Sequence, residues 1–182
     1  MRFAYADPPY PKSQNVKARN NAIRYYGRDC QVNHEILVGT LESECPDGWA
    51  LSTSTTALHD LLPLIPRPYR ILSWVKRQSA MQQWPMYAWE PVILRRGREP
   101  RTSKDRTFPR DWVQADRDPH NRFTGAKPPA FCFWLFDCLG VEPGDDLWDV
   151  FPGSGVVGRA FETYKRQAQA HVDLPLFAES RL

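Results

Sequence analysis

The residues best suited to chemistry stand in two short loops that are far apart in the sequence. The first loop, Asp7-Pro8-Pro9-Tyr10, follows the apolar run 2–6, which has the composition of a short buried strand. Prolines lack the N–H group that a sheet ladder needs, so the strand must end at the acid. We therefore predict that a carboxylate, two rigid prolines and an aromatic ring stand at a strand end.

The second loop lies in the sequence LWDVFPGSGVVG, which has the pattern strand, glycine loop, helix. Gly153 and Gly155 let the backbone approach a ligand closely, and the following helix start offers N–H groups. A purely structural tight turn has the same pattern, so this loop alone does not indicate function. In a doubly wound sheet, however, ligands bind beyond the carboxyl ends of strands where the strand order switches. Both loops follow such ends and can face one crevice.

The elements that must position these loops alternate between strands and helices. We predict strands over 2–6, 49–53 and 146–151 and from Tyr69 and Tyr87, and helices from Val32, over 55–65, from Lys127-Pro128-Pro129 and after Gly155. Asn33 is a possible cap of the first helix. This alternation predicts an α/β fold with a mostly parallel sheet and helices on both faces.

Two of these helices have a regular apolar face. The first is expected to bury Val32, Ile36, Leu37 and Leu41. The helix that Lys127 and Pro128 open is expected to bury Phe131, Trp134, Leu135, Cys138 and Leu139, which recur at helical spacing.

Composition restricts the class of protein. The chain has 182 residues, 42% of them hydrophobic, and a net charge of +3, which suits one globular domain. No run approaches the ~18 apolar residues of a membrane helix, so we expect a cytoplasmic protein without membrane contacts. The four cysteines lack the spacing of a zinc site, so we expect free thiols and assign no metal.

Positive charge is concentrated between Arg95 and Thr124, where nine Lys/Arg face five Asp/Glu. This segment has little hydrophobic periodicity and indicates a long loop or small insert. A solvated linker is one interpretation. The other is a surface that contacts phosphates of a nucleic acid. The candidate contacts are Arg95, Arg96, Arg98, Arg101, Lys104 and Arg106.

Four features together resemble the S-adenosylmethionine-dependent amino-methyltransferases that methylate exocyclic nitrogens, chiefly adenine N6, in nucleic acid. Asp7 to Tyr10 match the family's catalytic motif D/N/S-P-P-Y/F/W, and Asp149 to Gly155 match its DxFxGxG donor motif. The order of the loops, with a basic insert between them, is similar to the circularly permuted branches. Lys127-Pro128 and the strand residues 89–93 also resemble elements of those branches.

The resemblance implies a Rossmann-like methyltransferase sheet, circularly permuted, with S-adenosyl-L-methionine as the cofactor and DNA, or alternatively RNA, as the partner. The Asp7 carboxylate and the Pro8 carbonyl would accept the two amine hydrogens, Pro9 would stiffen the loop, and Tyr10 would stack on a flipped base. Asp149, Phe151, Gly153, Ser154, Gly155, Lys127 and Pro128 would hold the cofactor. Structural alternatives stay open: a turn residue for Asp7, core packing for Tyr10, and a solvated residue for Lys127.

Ser52 to Ser54 end another strand near the same edge of the predicted sheet. Serine and threonine are ordinary at such a place, so we assign them no role.

The C-terminal end departs from the family pattern. Residues 168–182 are too few for the two strands that normally follow the donor loop, so we expect the sheet to lack one or two strands. His171 to Asp173 could form one short strand, with Asp173 as a ribose partner. Alternatively, HVDLPLF resembles the peptide by which bacterial DNA-processing proteins bind the sliding clamp, with Leu174, Leu176 and Phe177 as anchors. A third alternative is that this apolar tail packs on the chain's own core.

We expect a single domain in four parts: a catalytic half over 1–94, the basic insert over 95–125, the helix and donor loop over 126–167, and a tail over 168–182. If the pocket is open where strands are missing, a homodimer could complete it. We expect a protein of bacterial or phage origin. The alternative to an enzyme is a catalytically weak relative that binds DNA or a clamp as an adaptor.

Overall fold

Six strands form one mixed sheet in the computed structural model, which describes residues 1–9, 32–77, 84–98, 108–116 and 126–173. The strands are β1 Arg2–Ala6, β2 Gly48–Ser52, β3 Arg70–Val75, β4 Trp89–Arg96, β5 Trp112–Gln114 and β6 Asp146–Asp149. Their order is β5-β3-β4-β2-β1-β6. β4 runs antiparallel to β2 and β3, whereas the other three pairings are parallel. The predicted α/β class with a mostly parallel sheet is confirmed.

In the described ranges, three helices and one irregular helical segment lie between the strands or follow the last of them. They are α1 His34–Glu44, α2 Leu58–Leu61 with a 3₁₀ turn on each side (Thr55–Ala57 and Leu62–Leu64), α3 Pro129–Leu139 and α4 Val156–Asp173. The Asn33 side chain accepts a hydrogen bond from the Ile36 N–H at 3.1 Å, which confirms the predicted cap of α1.

Alternate residues of the strands build a core on each face of the sheet. Phe3, Tyr5, Leu72, Trp74 and Val92 face α3 and α4. Ala4, Ala6, Trp49, Leu51 and Ile93 face α1 and the helical segment 55–64. Because side chains alternate across a strand, four residues of β1, Phe3 to Ala6, contribute to both cores at once. Helices on both faces are therefore confirmed.

The apolar faces of two helices were predicted with different success. α3 buries Phe131, Trp134, Leu135 and Leu139 as expected, whereas Cys138 is only half-buried. In α1, however, Ile36 is 66% exposed, and Val38 is buried with Leu37 and Leu41 instead. The pattern of α1 did not decide between these two neighbouring faces.

The strand order switches between β1 and β6. The chain reaches β2 after α1, which packs on one face, whereas α3, the helix before β6, packs on the other face. Helices on opposite faces leave a crevice beyond the carboxyl ends of the two strands between them, which is where ligands bind in open α/β sheets.

The C-terminal prediction of a short strand is wrong. His171 to Asp173 form the last turn of α4, which also extends past the predicted end of this part at residue 167. The segment RQAQA before it consists of good helix formers, so nothing stops the helix there. No strand follows α4 in the part of the chain that the structure describes, and Leu174, Leu176 and Phe177 lie outside it.

None of the helices in the described ranges has both the length and the apolar character needed to cross a bilayer.

Candidate ligand site at the carboxyl ends of β1 and β6

The two loops that the sequence singled out leave the sheet side by side. Tyr5 of β1 is paired with Asp149 of β6, and the Val150 N–H donates to the Tyr5 carbonyl at 3.0 Å. Asp7 and the glycine loop therefore start from the same edge of two adjacent parallel strands. Pro8 is buried and Pro9 half-buried, whereas Tyr10 lies outside the described residues.

Asp149 lies beside Asp7 at this edge and is partly buried. Burial, together with the negative charge of Asp7, raises the pKa of Asp149 to about 6, although the Phe151 N–H donates to its carboxylate and opposes the change. Its Oδ1 atom is buried and has no hydrogen-bond partner within the described chain. A buried acceptor without a donor is uncommon in folded proteins and marks a place where a ligand can supply one.

The glycine loop takes a conformation that suits glycine at two positions. Gly153 has φ 45° and Gly155 has φ 71°, both in the left-handed region. The Gly155 N–H donates to the Pro152 carbonyl at 2.6 Å, and the Arg159 guanidinium donates to the Ser154 carbonyl at 2.8 Å. Arg159 thus braces the loop from the first turn of α4.

Replacing Gly155 by alanine is expected to destabilise the fold by about 1–2 kcal/mol, because an L residue is strained at this φ. The added Cβ would also lie 3.0 Å from the Arg159 Nη1 atom. Gly158 is the matched control, since it is exposed on α4 and a Cβ there meets nothing within 4 Å. Gly158→Ala is expected to stabilise the protein by about 0.5–1 kcal/mol. Urea unfolding measures both changes, and a neutral Gly155→Ala would contradict the left-handed turn.

A cleft of about 320 Å³ opens beside the loop, between the start of α3 and the first turns of α4. Lys127 and Pro128 line it from one side and Val156 and Arg159 from the other. The structure therefore brings these two predicted cofactor residues close to the helix that follows the glycine loop. A cavity of about 480 Å³ near Leu62 and Tyr69 lies on the opposite face of the sheet.

A chain of ion pairs crosses the same edge. The Lys127 Nζ atom lies 3.0 Å from Asp7 Oδ2 and 3.5 Å from Glu90 Oε2, and Lys76 pairs with the other oxygen of Glu90. The sequence assigned no site role to Lys76, and it included Glu90 only in the strand 89–93 that resembles a family element. Sequence reasoning does not connect these two residues, because Lys76 directly follows β3 and Glu90 lies near the start of β4. Only the antiparallel pairing of the two strands brings them together.

Three hydroxyl groups to which the sequence assigned no role also lie at this edge. The Tyr5 hydroxyl and Ser52 Oγ form a buried hydrogen bond of 2.7 Å beneath the Asp7 loop. Burial, and secondly the charge of Asp7, raises the pKa of Tyr5 well above its ordinary value. Thr53 Oγ1 is buried and lacks a hydrogen-bond partner among the described residues. A hydroxyl at a strand end is too common for sequence reasoning to single it out.

Three of the predicted nucleic-acid contacts lie at the other end of the sheet. Arg95 and Arg96 belong to the end of β4 rather than to a loop, and Arg96 is paired with Gly48 at the start of β2. The predicted basic insert therefore begins only after β4, and it contains β5. The reason is that β4 runs antiparallel, which carries its last residues away from Asp7. Arg101, Lys104 and Arg106 lie outside the described residues.

These arginines have carboxylate partners of their own. The Arg95 side chain is 4% exposed, with Nε 3.2 Å from Glu42 Oε1. Arg98 Nη1 lies 2.9 Å from Asp145 Oδ2, at the start of β6. In this arrangement they stabilise the fold, and the structure does not bring them to the candidate site.

Fold and site together define the class of this protein: an α/β protein with a mixed six-stranded sheet and a candidate ligand site where the strand order switches between β1 and β6. Asp7, Asp149 and Lys127 are the charged residues at the centre of that site.

Comparisons with known proteins add distant structural likenesses. A scan against protein-family models finds no match, and a search of curated proteins finds none either. A crystal structure of the M1.HpyAVI–SAM complex has 16% sequence identity and a TM-score of 0.48, over 93% of this chain and 88% of that chain. A crystal structure of M1.HpyAVI has 14% identity and a TM-score of 0.47, over 94% and 87%. Because both likenesses are distant, the function proposed below rests on this chain's own residues.

Proposed function

We propose that this protein transfers a methyl group from S-adenosylmethionine to the N6 amine of adenine in DNA. The observation that carries the proposal is the pairing of Tyr5 with Asp149, which puts the Asp7 loop and the glycine loop beside each other at the switch point. A methyl donor and an amine acceptor must meet at one place, and these loops match the acceptor and donor motifs of one family.

The residues of the glycine loop fit such a donor. S-adenosylmethionine carries an ammonium group, a sulfonium and ribose hydroxyls, and the orphaned Asp149 Oδ1 atom is an acceptor suited to a hydrogen-bond donor of this kind. Gly153 and Gly155 add no side chains at the point of approach. Phe151 precedes these glycines and Ser154 lies between them. These two residues complete the predicted cofactor set on this loop.

The Asp7 loop supplies the acceptor side of the reaction. When bound, S-adenosylmethionine supplies an electrophilic methyl group, whose carbon–sulfur bond breaks as the carbon–nitrogen bond forms, with the electron pair left on sulfur. The Asp7 carboxylate and the Pro8 carbonyl accept hydrogen bonds from the two amine hydrogens, so that the nitrogen lone pair points out of the plane of the ring. Asp7 then takes up the proton that the amine loses. The prolines hold these acceptors in place before the base arrives, so the site needs little reorganisation.

The site edge also carries an exposed aromatic segment, Trp84 to Trp89, that suits unpaired bases. Trp84 is 98% exposed, and Tyr87 and Trp89 are exposed as well. The segment is tied to the site because the Lys76 N–H donates to the Ala88 carbonyl at 2.8 Å and Glu90 follows it directly. Aromatic side chains at such a place can stack on bases next to a flipped adenine.

Replacing Trp84 and Tyr87 together by alanine is expected to weaken binding of an unmethylated duplex by about 10-fold or more, because stacking on one base is worth about 1–3 kcal/mol. Fluorescence anisotropy at fixed salt measures the affinity. Ile36→Ala is the control, since Ile36 is also exposed but lies on α1, outside the candidate nucleic-acid surfaces. Equal losses in the two variants would argue against DNA at this edge.

The function itself is tested by tritiated methyl transfer to unmethylated DNA, tRNA and total RNA, together with calorimetric titration of S-adenosylmethionine. Adenine N6 methylation of DNA is the expected result. Methyl transfer to RNA but not to DNA would show that the substrate is RNA. If S-adenosylmethionine does not bind at high protein concentration, the enzyme function is overturned, and the alternative of a DNA- or clamp-binding adaptor is favoured.

The clamp-binding peptide stays a prediction from the sequence. Its first residues, His171 to Asp173, are helical, and its anchors Leu174, Leu176 and Phe177 lie outside the described residues.

A further inference from the structure

We propose that Lys127 is a positioning residue, which holds the Asp7 carboxylate in the orientation that methyl transfer needs, and that Glu90 and Lys76 hold Lys127 in turn. This inference rests on the proposed function and assigns the lysine ammonium to Asp7 rather than to the methyl donor.

The ammonium group of Lys127 is directed at two acids. Its Nζ atom is 3.0 Å from Asp7 Oδ2 and 3.5 Å from Glu90 Oε2, and the side chain is only 4% exposed. A buried ammonium needs paired charges, and charge-assisted hydrogen bonds to carboxylates are short and directional. The contact therefore restricts the Asp7 carboxylate.

Aromatic rings fix the position of the ammonium from the side. Lys127 Nζ lies 5.0 Å from the centre of the Trp74 ring and 5.8 Å from that of Phe131. Lys76 Nζ lies 4.4 Å from the Trp74 ring centre. These distances are within the range of cation–π attraction, so one indole stabilises both lysines that Glu90 bridges.

The start of α3 explains why a lysine can reach Asp7 from a distant part of the sequence. Pro128 has the extended conformation of an N-cap, and Pro129 is the first helical residue. Phe131, in the first turn, packs on Tyr5 and Trp74 with ring centres 6.0 and 5.0 Å apart. This packing seats the helix start over the carboxyl end of β1, and Lys127 precedes it.

Among the described residues, the ion pairs of this network join two acids, Asp7 and Glu90, to two lysines, Lys76 and Lys127. Removing one partner of a buried pair leaves an uncompensated charge and is costly. Loss of Lys127 is therefore expected to release Asp7 as well as to change the charge beside it.

The test compares Lys127→Met with Lys127→Arg in methyl transfer at saturating S-adenosylmethionine and in calorimetric titration of that cofactor. We expect Lys127→Met to lower kcat by about 10²-fold and to leave the cofactor Kd within about threefold, because the lysine acts through Asp7. Lys127→Arg should recover part of kcat, since it keeps the positive charge. Lys165→Met is the matched control on α4, where Lys165 pairs with the exposed Glu162 away from the site, and it should change neither quantity.

A cofactor Kd raised tenfold or more with kcat retained would overturn the proposal and make Lys127 a contact of the methyl donor. Unchanged kcat and Kd in Lys127→Met would overturn it too.

A measurement without catalysis tests the contact separately. In thermal unfolding, Asp7→Asn and Lys127→Met should be coupled, so that the double variant loses less stability than the two single losses together. Additive losses would show that Lys127 does not hold Asp7. Absence of methyl transfer by the unaltered protein, with coupling present, would overturn the proposed function and leave the Asp7–Lys127 contact established.

Discussion

Replacing Asp7 by alanine is expected to lower kcat for adenine methylation by about 10²–10³-fold, the loss typical of removing one preorganised group that acts on the reacting atoms. The amine of adenine is a weak nucleophile because its lone pair is delocalised into the ring, so its rate depends on acceptors that hold its hydrogens. Asp7 stands at the end of β1 beside the glycine loop, and Lys127 holds its Oδ2 atom. Quench-flow or steady-state transfer of a tritiated methyl group measures kcat.

The cofactor Kd of Asp7→Ala is expected to change by less than about threefold, because in the proposed mechanism Asp7 acts on the amine and not on the donor. Asp146→Ala provides the control, since Asp146 is 72% exposed at the opposite end of β6 and pairs only loosely with Arg2 at 3.6 Å. Activity that survives Asp7→Ala would refute the assigned mechanism. Loss of activity in both variants would indicate a defect in folding.

Replacing Asp149 by asparagine is expected to weaken S-adenosylmethionine binding by about 10-fold or more and to stabilise the free protein at neutral pH. Burial and the charge of Asp7 raise the pKa of Asp149 from 3.8 to about 6. The folded state therefore keeps the proton more tightly than the unfolded state does. The stability that this group contributes is complete below pH 3.8 and is lost as the pH rises through about 6.

Above that pH the folded protein must hold the carboxylate beside Asp7 without a partner for Oδ1. Because Asp149 is partly exposed, solvent weakens this effect, and Asp149→Asn is expected to gain about 1–2 kcal/mol at pH 7.5, or about 2–8 °C in Tm. The gain should vanish near pH 4. Differential scanning calorimetry over this pH range measures it.

Cofactor binding should show the opposite trend. If the ionised Asp149 accepts a hydrogen bond from the donor, the affinity of the unaltered protein rises between pH 5 and pH 7, through the pKa of about 6. Asp149→Asn should lack this rise. Asp146→Asn, at the other end of the same strand, should keep both the affinity and its pH dependence. An Asp149→Asn protein that binds normally and is no more stable at pH 7.5 would remove Asp149 from the donor site.

Most of the fold could be predicted because its signals are local. The strand β1 ends at Asp7 because prolines cannot continue it, and α3 begins at Pro129 with an apolar face at helical spacing. The bounds of α4 were harder to predict, since no helix breaker follows its predicted end. The short strand considered as one alternative over 171–173 is the last turn of that helix.

The predicted arginine surface shows the limit of counting charges along a sequence. Arg95, Arg96 and Arg98 are neighbours in a basic segment, yet the direction of β4 carries them to the edge opposite Asp7, where Glu42, Glu142 and Asp145 pair with them. The direction of a strand depends on which neighbour it pairs with, and that is a property of the whole sheet.

The sequence alone determined the two loops, because each depends on residues next to each other in the chain: an acid before two prolines, and glycines between a strand and a helix. Only the tertiary structure decided what surrounds them. Burial, together with the charge of Asp7 that the pairing of β1 with β6 brings close, raises the pKa of Asp149. The α3 start and β4 bring Lys127 and Glu90 to the Asp7 carboxylate. Burial and charge act between residues far apart in the sequence, so these properties of the site exist only once the chain is folded.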